Sequence, residues 1–135
     1  MLNVLISGQK WFGAEVFKAL QKNDTVNVVA VSAPLSGHYL DKLTELATDN
    51  QIPVIPSGTL NAASMPEGID LIVAAHSHDF IGEKTRLRAT YGGIGYHPSL
   101  LPIHRGRDSV RWTIKMRDQI TGGTVYRLSN KMDGG

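Results

Sequence analysis

Short apolar runs that stop at a glycine or a polar residue recur along this 135-residue chain, with helically spaced segments between them. Residues 3–7 (NVLIS) end at Gly8, and residues 27–32 (NVVAVS) are rich in β-branched side chains and bounded by Pro34. Residues 70–75 (DLIVAA) form another uninterrupted run. Runs of this kind predict strands buried on both faces. Residues 52–56 read as a short strand, limited by Pro53 and Pro56. Residues 92–97 read as a strand diluted by Gly92, Gly93 and Gly95, and residues 122–128 as a final strand with alternating character. Between these runs, residues 11–22 place Phe12, Val16, Ala19 and Leu20 on one side, with Glu15, Lys18, Gln21 and Lys22 largely opposite. Residues 39–50 repeat Leu40, Leu43, Leu46 and Ala47, and residues 109–118 carry Val110 and Ile114. That spacing predicts three amphipathic helices.

Strands alternating with helices predict an α/β fold: a doubly wound, mostly parallel, Rossmann-like sheet with helices on both faces. The length suits one domain, since domains most often run to about 100–150 residues. There is no cysteine, which excludes disulfide scaffolds, Cys-based zinc sites and thiol nucleophiles. The longest apolar run is far shorter than the roughly 20 residues of a membrane span. The N-terminus lacks the features of a secretory signal, so the expectation is a cytoplasmic protein without membrane contact. A net charge of +2 gives no reason to expect a nucleic-acid partner. The charge is uneven, however: residues 82–118 hold eight Lys/Arg against three acids, a net +5 that leaves −3 for the rest. Such a face suits an anionic small molecule, or is simply a solvated helix face.

Doubly wound sheets bind ligands beyond the carboxyl ends of their strands, so the segments just after strands are the candidates. The first, Ser7-Gly-Gln-Lys-Trp-Phe-Gly13, opens a helix. It is neither a dinucleotide-binding loop, because Lys10 stands where a glycine is needed, nor a P-loop, because Ala14-Glu15 replaces Lys-Ser/Thr. It is either a substrate-binding turn, through Ser7, Gly8, Gln9 and Lys10, or a plain strand-to-helix connection. The second segment runs from a buried strand into His76, Ser77, His78 and Asp79. A His-x-His pair on an extended chain can hold zinc, which keeps a metal hydrolase open as an alternative. The third is Gly95-Tyr-His97-Pro-Ser99-Leu-Leu101-Pro102-Ile-His104-Arg105-Gly106-Arg107. Its prolines stiffen the loop on either side of Ser-Leu-Leu, and an imidazole held there suits proton transfer as well as a structural role.

His-Pro-Ser-Leu-Leu-Pro-x-x-Arg-Gly, a ten-residue run with two prolines, resembles the signature of the folate-dependent formyltransferases. The resemblance extends over the chain through Gln51-Ile-Pro-Val54, the run at 70–75, and Thr121-Gly-Gly-Thr-Val-Tyr-Arg-Leu128 with Met132-Asp133-Gly134. It implies a formyltransferase fold and transfer of a formyl group from 10-formyltetrahydrofolate, as cosubstrate, to a primary amine of a small molecule. It implies no metal. By the match, His97 is the proton shuttle and Asp133 orients and charges its imidazole. Asp79, Phe80, Ile81, Arg107, Ser129, Asn130, Lys131 and Met132 fall on folate-contacting positions. The spacing of Arg105, Arg107 and Trp112 resembles the amino-sugar branch of the family, which makes an amino-sugar nucleotide a candidate acceptor. A small-molecule amine is the expected partner, and a homodimer is compatible with the pattern.

Two features depart from that pattern. The family's Asn, two residues before the histidine, is here Gly95, which has no side-chain donor. His76, His78, Ser99 and Asn130 are candidate replacements. The chain also stops two residues after Asp133, so the expectation is one catalytic domain over residues 1–135, truncated after the catalytic aspartate. These departures keep two further readings open: an impaired or non-catalytic folate- or nucleotide-binding domain, and a hydrolase of the same donor.

Overall fold

A computed structural model describes residues 1–37, 39–97 and 124–130, with the side chain of His97 outside that set. The elements are β1 (Leu2–Gly8), α1 (Lys10–Gln21), β2 (Val26–Ala33), α2 (Lys42–Asp49), β3 (Val54–Pro56), β4 (Leu71–Ala75), α3 (Glu83–Arg86), β5 (Gly93–His97) and β6 (Thr124–Arg127). The strands form one sheet in the order β3-β2-β1-β4-β5-β6. The first five pair in parallel, and β6 runs antiparallel to β5 at the edge. The expected doubly wound α/β architecture is what the described residues form. The helix expected over 109–118 lies outside them.

β1 shows why the strand runs are continuous rather than alternating. Val4 and Ile6 pack toward α1 and α2, while Leu5 enters a second cluster with Met65, Ile69, Ile72, Ile81 and Ala89. Both faces of the strand are buried, so every position favours an apolar side chain. β3 is a three-residue edge strand ending at Pro56, as its prolines require.

The helices differ from their sequence pattern in detail. In α1 the buried positions are Gly13, Ala14 and Phe17, while Ala19 is exposed. The small residues set the contact face: a Cβ on Gly13 would lie 3.2 Å from Leu43 and 3.4 Å from the carbonyl oxygen of Ala75, so the helix sits close to the sheet. α2 starts at Lys42 rather than at Tyr39, and Tyr39 and Leu40 are exposed. Asp41 sets that start, its side chain accepting a hydrogen bond from the Leu43 N–H at 2.9 Å. α3, only four residues long, carries no period that the sequence pattern could reveal.

β2 and β3 lie on one side of β1, and β4 and β5 on the other. The winding therefore reverses between β1 and β4, and a crevice at the carboxyl ends of those strands is the place where such sheets take ligands. The turns after Gly8 and Ala75 stand there. Among the described residues, no helix is long and apolar enough to cross a membrane.

Candidate functional site

At the reversal point the two central strands touch without side chains between them. Gly8 lies opposite Ala75, and a Cβ on Gly8 would fall 2.0 Å from the Ala75 carbonyl oxygen. Only glycine fits that approach. Ser7 is fully buried and its hydroxyl lies 2.9 Å from that of Ser77, one residue beyond His76. Ser7 and Gly8 thus knit β1 to the β4 turn. Of the four residues expected to bind substrate, Gln9 and Lys10 are the two with open side chains. Gln9 Nε2 lies 3.1 Å from His78 Nδ1.

Two non-glycine residues at this point adopt left-handed backbone, Lys10 at φ 59° and His76 at φ 61°. Such conformations cost about 1–2 kcal/mol and cluster where a site demands them. The Lys10 N–H donates to Asp41 Oδ1 at 2.8 Å, so the carboxylate that caps α2 also fixes the start of α1. Burial, and then the positive charge of Lys10, push the His76 imidazole below its ordinary pKa, with Asp41 pulling the other way. The extended chain assumed for a His-x-His metal pair is absent, because His76 turns the backbone. Its ring meets that of His78 edge-on, with centroids 5.2 Å apart. Among the described residues, no three His, Asp or Glu side chains converge on a point that could hold a metal.

The following segment is built for a different purpose. Asp79 turns its carboxylate to the Gly58 N–H at 2.9 Å, joining the turn after β3 to the end of β4. Phe80, five residues past the end of β4, is 56% exposed and offers an open aromatic face. Ile81 buries its side chain in the core cluster on that side of the sheet, which leaves its backbone as the part near the surface.

Arg86 of α3 links this segment to the end of β6. Its Nη1 donates to the carbonyl of Ile81 at 2.7 Å and to the carbonyl of Ser129 at 3.1 Å, and its Nη2 donates to Asn130 Oδ1 at 2.5 Å. The two segments expected to contact folate, 79–81 and 129–130, are therefore brought together by one guanidinium. The sequence pattern counted Arg86 only within a basic stretch. Arg88 is also engaged, donating to the carbonyls of Ala62 and Met65. The basic stretch is thus partly loop scaffolding rather than an open anion-binding face.

His97 is the last residue of β5 and lies in register with Thr124 of β6. One residue earlier, the ring of Tyr96 packs on Phe12 of α1, with centroids 4.9 Å apart. Asp133, Arg107, Ser99, Lys131 and Met132 lie outside the described residues.

Comparison with known proteins settles the family. The family described as "Formyl transferase" matches residues 2–135. This chain belongs to the formyl transferase family. It is 30% identical over 144 residues to the cytosolic 10-formyltetrahydrofolate dehydrogenase of Xenopus laevis, a match covering 99% of this chain and 16% of that protein. The chain therefore spans about a sixth of the length of that relative. A phosphoribosylglycinamide formyltransferase from Bacillus halodurans has the same fold, with a TM-score of 0.78 and 21% identity over 98% of this chain and 75% of the other. A sugar N-formyltransferase from Shewanella sp. FDAARGOS_354 superposes with a TM-score of 0.72 and 18% identity, over 100% of this chain and 54% of the other.

Proposed function

We propose that residues 1–135 act as a formyltransferase domain that moves a formyl group from 10-formyltetrahydrofolate to a primary amine of a small molecule, with an amino-sugar nucleotide as the acceptor class to try first. The observation that carries this reading is the clamp on Arg86, which joins segments 79–81 and 129–130, the two stretches that fall on folate-contacting positions. Phe80 presents a flat apolar surface there that suits stacking of a pterin ring. Asp79, Phe80, Ile81, Ser129 and Asn130 frame the donor, joined by Arg107, Lys131 and Met132. Gln9 and Lys10 face the acceptor side, on a turn supported by Ser7 and Gly8.

In this reading the amine nitrogen attacks the formyl carbon, and the resulting ammonium must lose a proton. His97 at the end of β5 carries that proton, and Asp133 orients the imidazole and stabilises its charged form. The domain works in the cytoplasm on a small-molecule amine, without nucleic acid or membrane, and a homodimer is the assembly to test.

The test is release of tetrahydrofolate from 10-formyltetrahydrofolate by the purified chain, screened over amines that include amino-sugar nucleotides. Release that requires an amine supports transfer. His97→Ala and Asp133→Asn are each expected to lower turnover by roughly 10²–10⁴ while donor binding persists. Near-wild-type rates in both variants would overturn the assignment of these residues.

A second reading uses the same donor, the compound in the name of the Xenopus laevis relative, with water in place of the amine. Its signature in the same assay is release of tetrahydrofolate with no amine present.

A further inference from the structure

Gly95 stands where the family pattern has an Asn, and the structure shows what fills the vacated space. β5 and β6 pair so that Gly95 lies directly opposite Tyr126. A Cβ on Gly95 would be 3.0 Å from both Cζ and the hydroxyl oxygen of Tyr126, and 3.2 Å from Cε1. The phenol therefore lies over the glycine, with its polar end inside the volume that a side chain at position 95 would enter. Two residues along β5 from Gly95, Leu128 covers Gly93 in the same manner, with Cδ1 2.5 Å from the place of a Cβ. Leu128 belongs to the apolar cluster on that face, and packing accounts for it. A phenylalanine at 126 would fill the same space as the tyrosine. The hydroxyl is what the tyrosine adds, and its oxygen lies where a side chain at position 95 would reach.

We propose that Tyr126 takes the part of the missing Asn: its hydroxyl donates a hydrogen bond to the formyl oxygen of the bound donor, and holds that oxygen when it becomes an oxyanion. This rests on the formyl-transfer reading above. The electron flow defines the demand. The lone pair of the amine forms the new N–C bond, and the C=O π pair moves onto oxygen. When the carbonyl re-forms, the C–N10 bond breaks and its pair goes to N10. The proton lost by the amine nitrogen balances the one gained by N10. Throughout, the donor to the oxyanion keeps its own proton, as a phenol does near neutral pH. A fixed donor aimed at developing charge is among the largest contributions to such a step. Residues two apart in a strand share a face, so position 95, and the phenol that covers it, belong to the same side of β5 as position 97.

The test uses the full chain and 10-formyltetrahydrofolate carrying 13C in its formyl group. Isotope-edited infrared difference spectra report the formyl C=O stretch of the bound donor. In the wild type it is expected at lower frequency than in Tyr126→Phe, which keeps the ring and removes only the hydroxyl. Turnover in Tyr126→Phe is expected to fall by about 10²–10³, with donor affinity changed less than about twofold. The double variant Gly95→Asn with Tyr126→Ala, which returns an amide to position 95 and clears the ring, is expected to recover at least about tenfold over Tyr126→Ala alone. An unchanged stretch together with an unchanged rate in Tyr126→Phe would remove Tyr126 from the mechanism and leave the formyltransferase reading standing. A wild type that neither binds the donor nor releases tetrahydrofolate would take down that reading, and this one with it.

Discussion

The guanidinium of Arg86 holds the backbone carbonyl of Ile81 at 2.7 Å, five residues before it in the chain, and the same Nη1 reaches the carbonyl of Ser129 at 3.1 Å. This couples the segment after β4 to the segment after β6. Hydrogen bonds from a charged donor contribute about 1.5–3 kcal/mol, so Arg86→Ala is expected to destabilise the fold by about that amount. Because both bridged segments are proposed to frame the donor, affinity for 10-formyltetrahydrofolate should fall about tenfold, the equivalent of roughly 1.4 kcal/mol. Arg86→Lys should behave more like Arg86→Ala than like the wild type, since an ammonium lacks the planar fork that reaches Ile81, Ser129 and Asn130 together. Chemical unfolding and calorimetric titration with the donor measure the two effects separately. Donor affinity unchanged in both variants would show that the bridge does not shape the donor site.

Asp41 serves two helix starts with its two oxygens. Oδ1 accepts from the Lys10 N–H at 2.8 Å and Oδ2 from the Leu43 N–H at 2.9 Å. Loss of an N-cap typically costs about 1 kcal/mol, and loss of a second bond adds a similar amount. Asp41→Ala should therefore lower stability by about 2 kcal/mol, and Asp41→Asn by about half of that, because the amide retains one acceptor and turns a donor toward the other N–H. Urea midpoints of the two variants check the ratio, and equal losses would show that the acceptor kept by the amide contributes nothing.

The same residue shows how far the fold could be read from sequence. Strands were legible where both faces are buried, as in β1 and β4, because an uninterrupted apolar run has few other destinations. The start of α2 was not, since Tyr39 and Leu40 extend the apolar rhythm although both are exposed. The informative signal there was the acid at 41, not the period. The site divides along similar lines. Its location at strand ends follows from the alternation of elements alone. The bond from Arg86 to Ser129 spans 43 residues, and no local pattern encodes a partner that distant. The cover that Tyr126 places on Gly95 depends on antiparallel register at the sheet edge, which the alternating character of residues 122–128 suggested as a strand but did not align.

Ser32 near the end of β2 is buried, and its hydroxyl has no hydrogen-bond partner among the described residues. It lies in register with Ser7, whose own hydroxyl is taken up with Ser77. An unpaired buried hydroxyl costs about 1–3 kcal/mol, against the small loss of packing from removing a single oxygen. Ser32→Ala is therefore expected to leave stability unchanged or raise it by about 1 kcal/mol. A drop of more than about 1 kcal/mol in unfolding free energy would mean that the hydroxyl is bonded in solution, through water or another group.

The turn after β4 should make stability depend on pH through His76. Burial lowers the imidazole pKa in the folded protein, and Lys10 adds to the shift while Asp41 opposes it. The unfolded chain then takes up a proton more readily than the folded one, starting near the ordinary histidine value of about 6.5. Unfolding is favoured wherever the unfolded state binds more protons, so the contribution of His76 is fully present above that value and is lost as pH falls toward the lower, folded-state pKa. His76→Asn removes the titrating group and accepts the left-handed backbone, φ 61°, more readily than an imidazole does. Between about pH 7 and 5.5, above most carboxylate titration, the wild type should lose stability more steeply than His76→Asn. At pH 8 the variant should be at least as stable as the wild type, with relief of backbone strain contributing up to about 1 kcal/mol. Urea unfolding at half-unit pH intervals measures both. Parallel curves for the two proteins across that interval would show that the His76 imidazole titrates alike in the folded and unfolded chain.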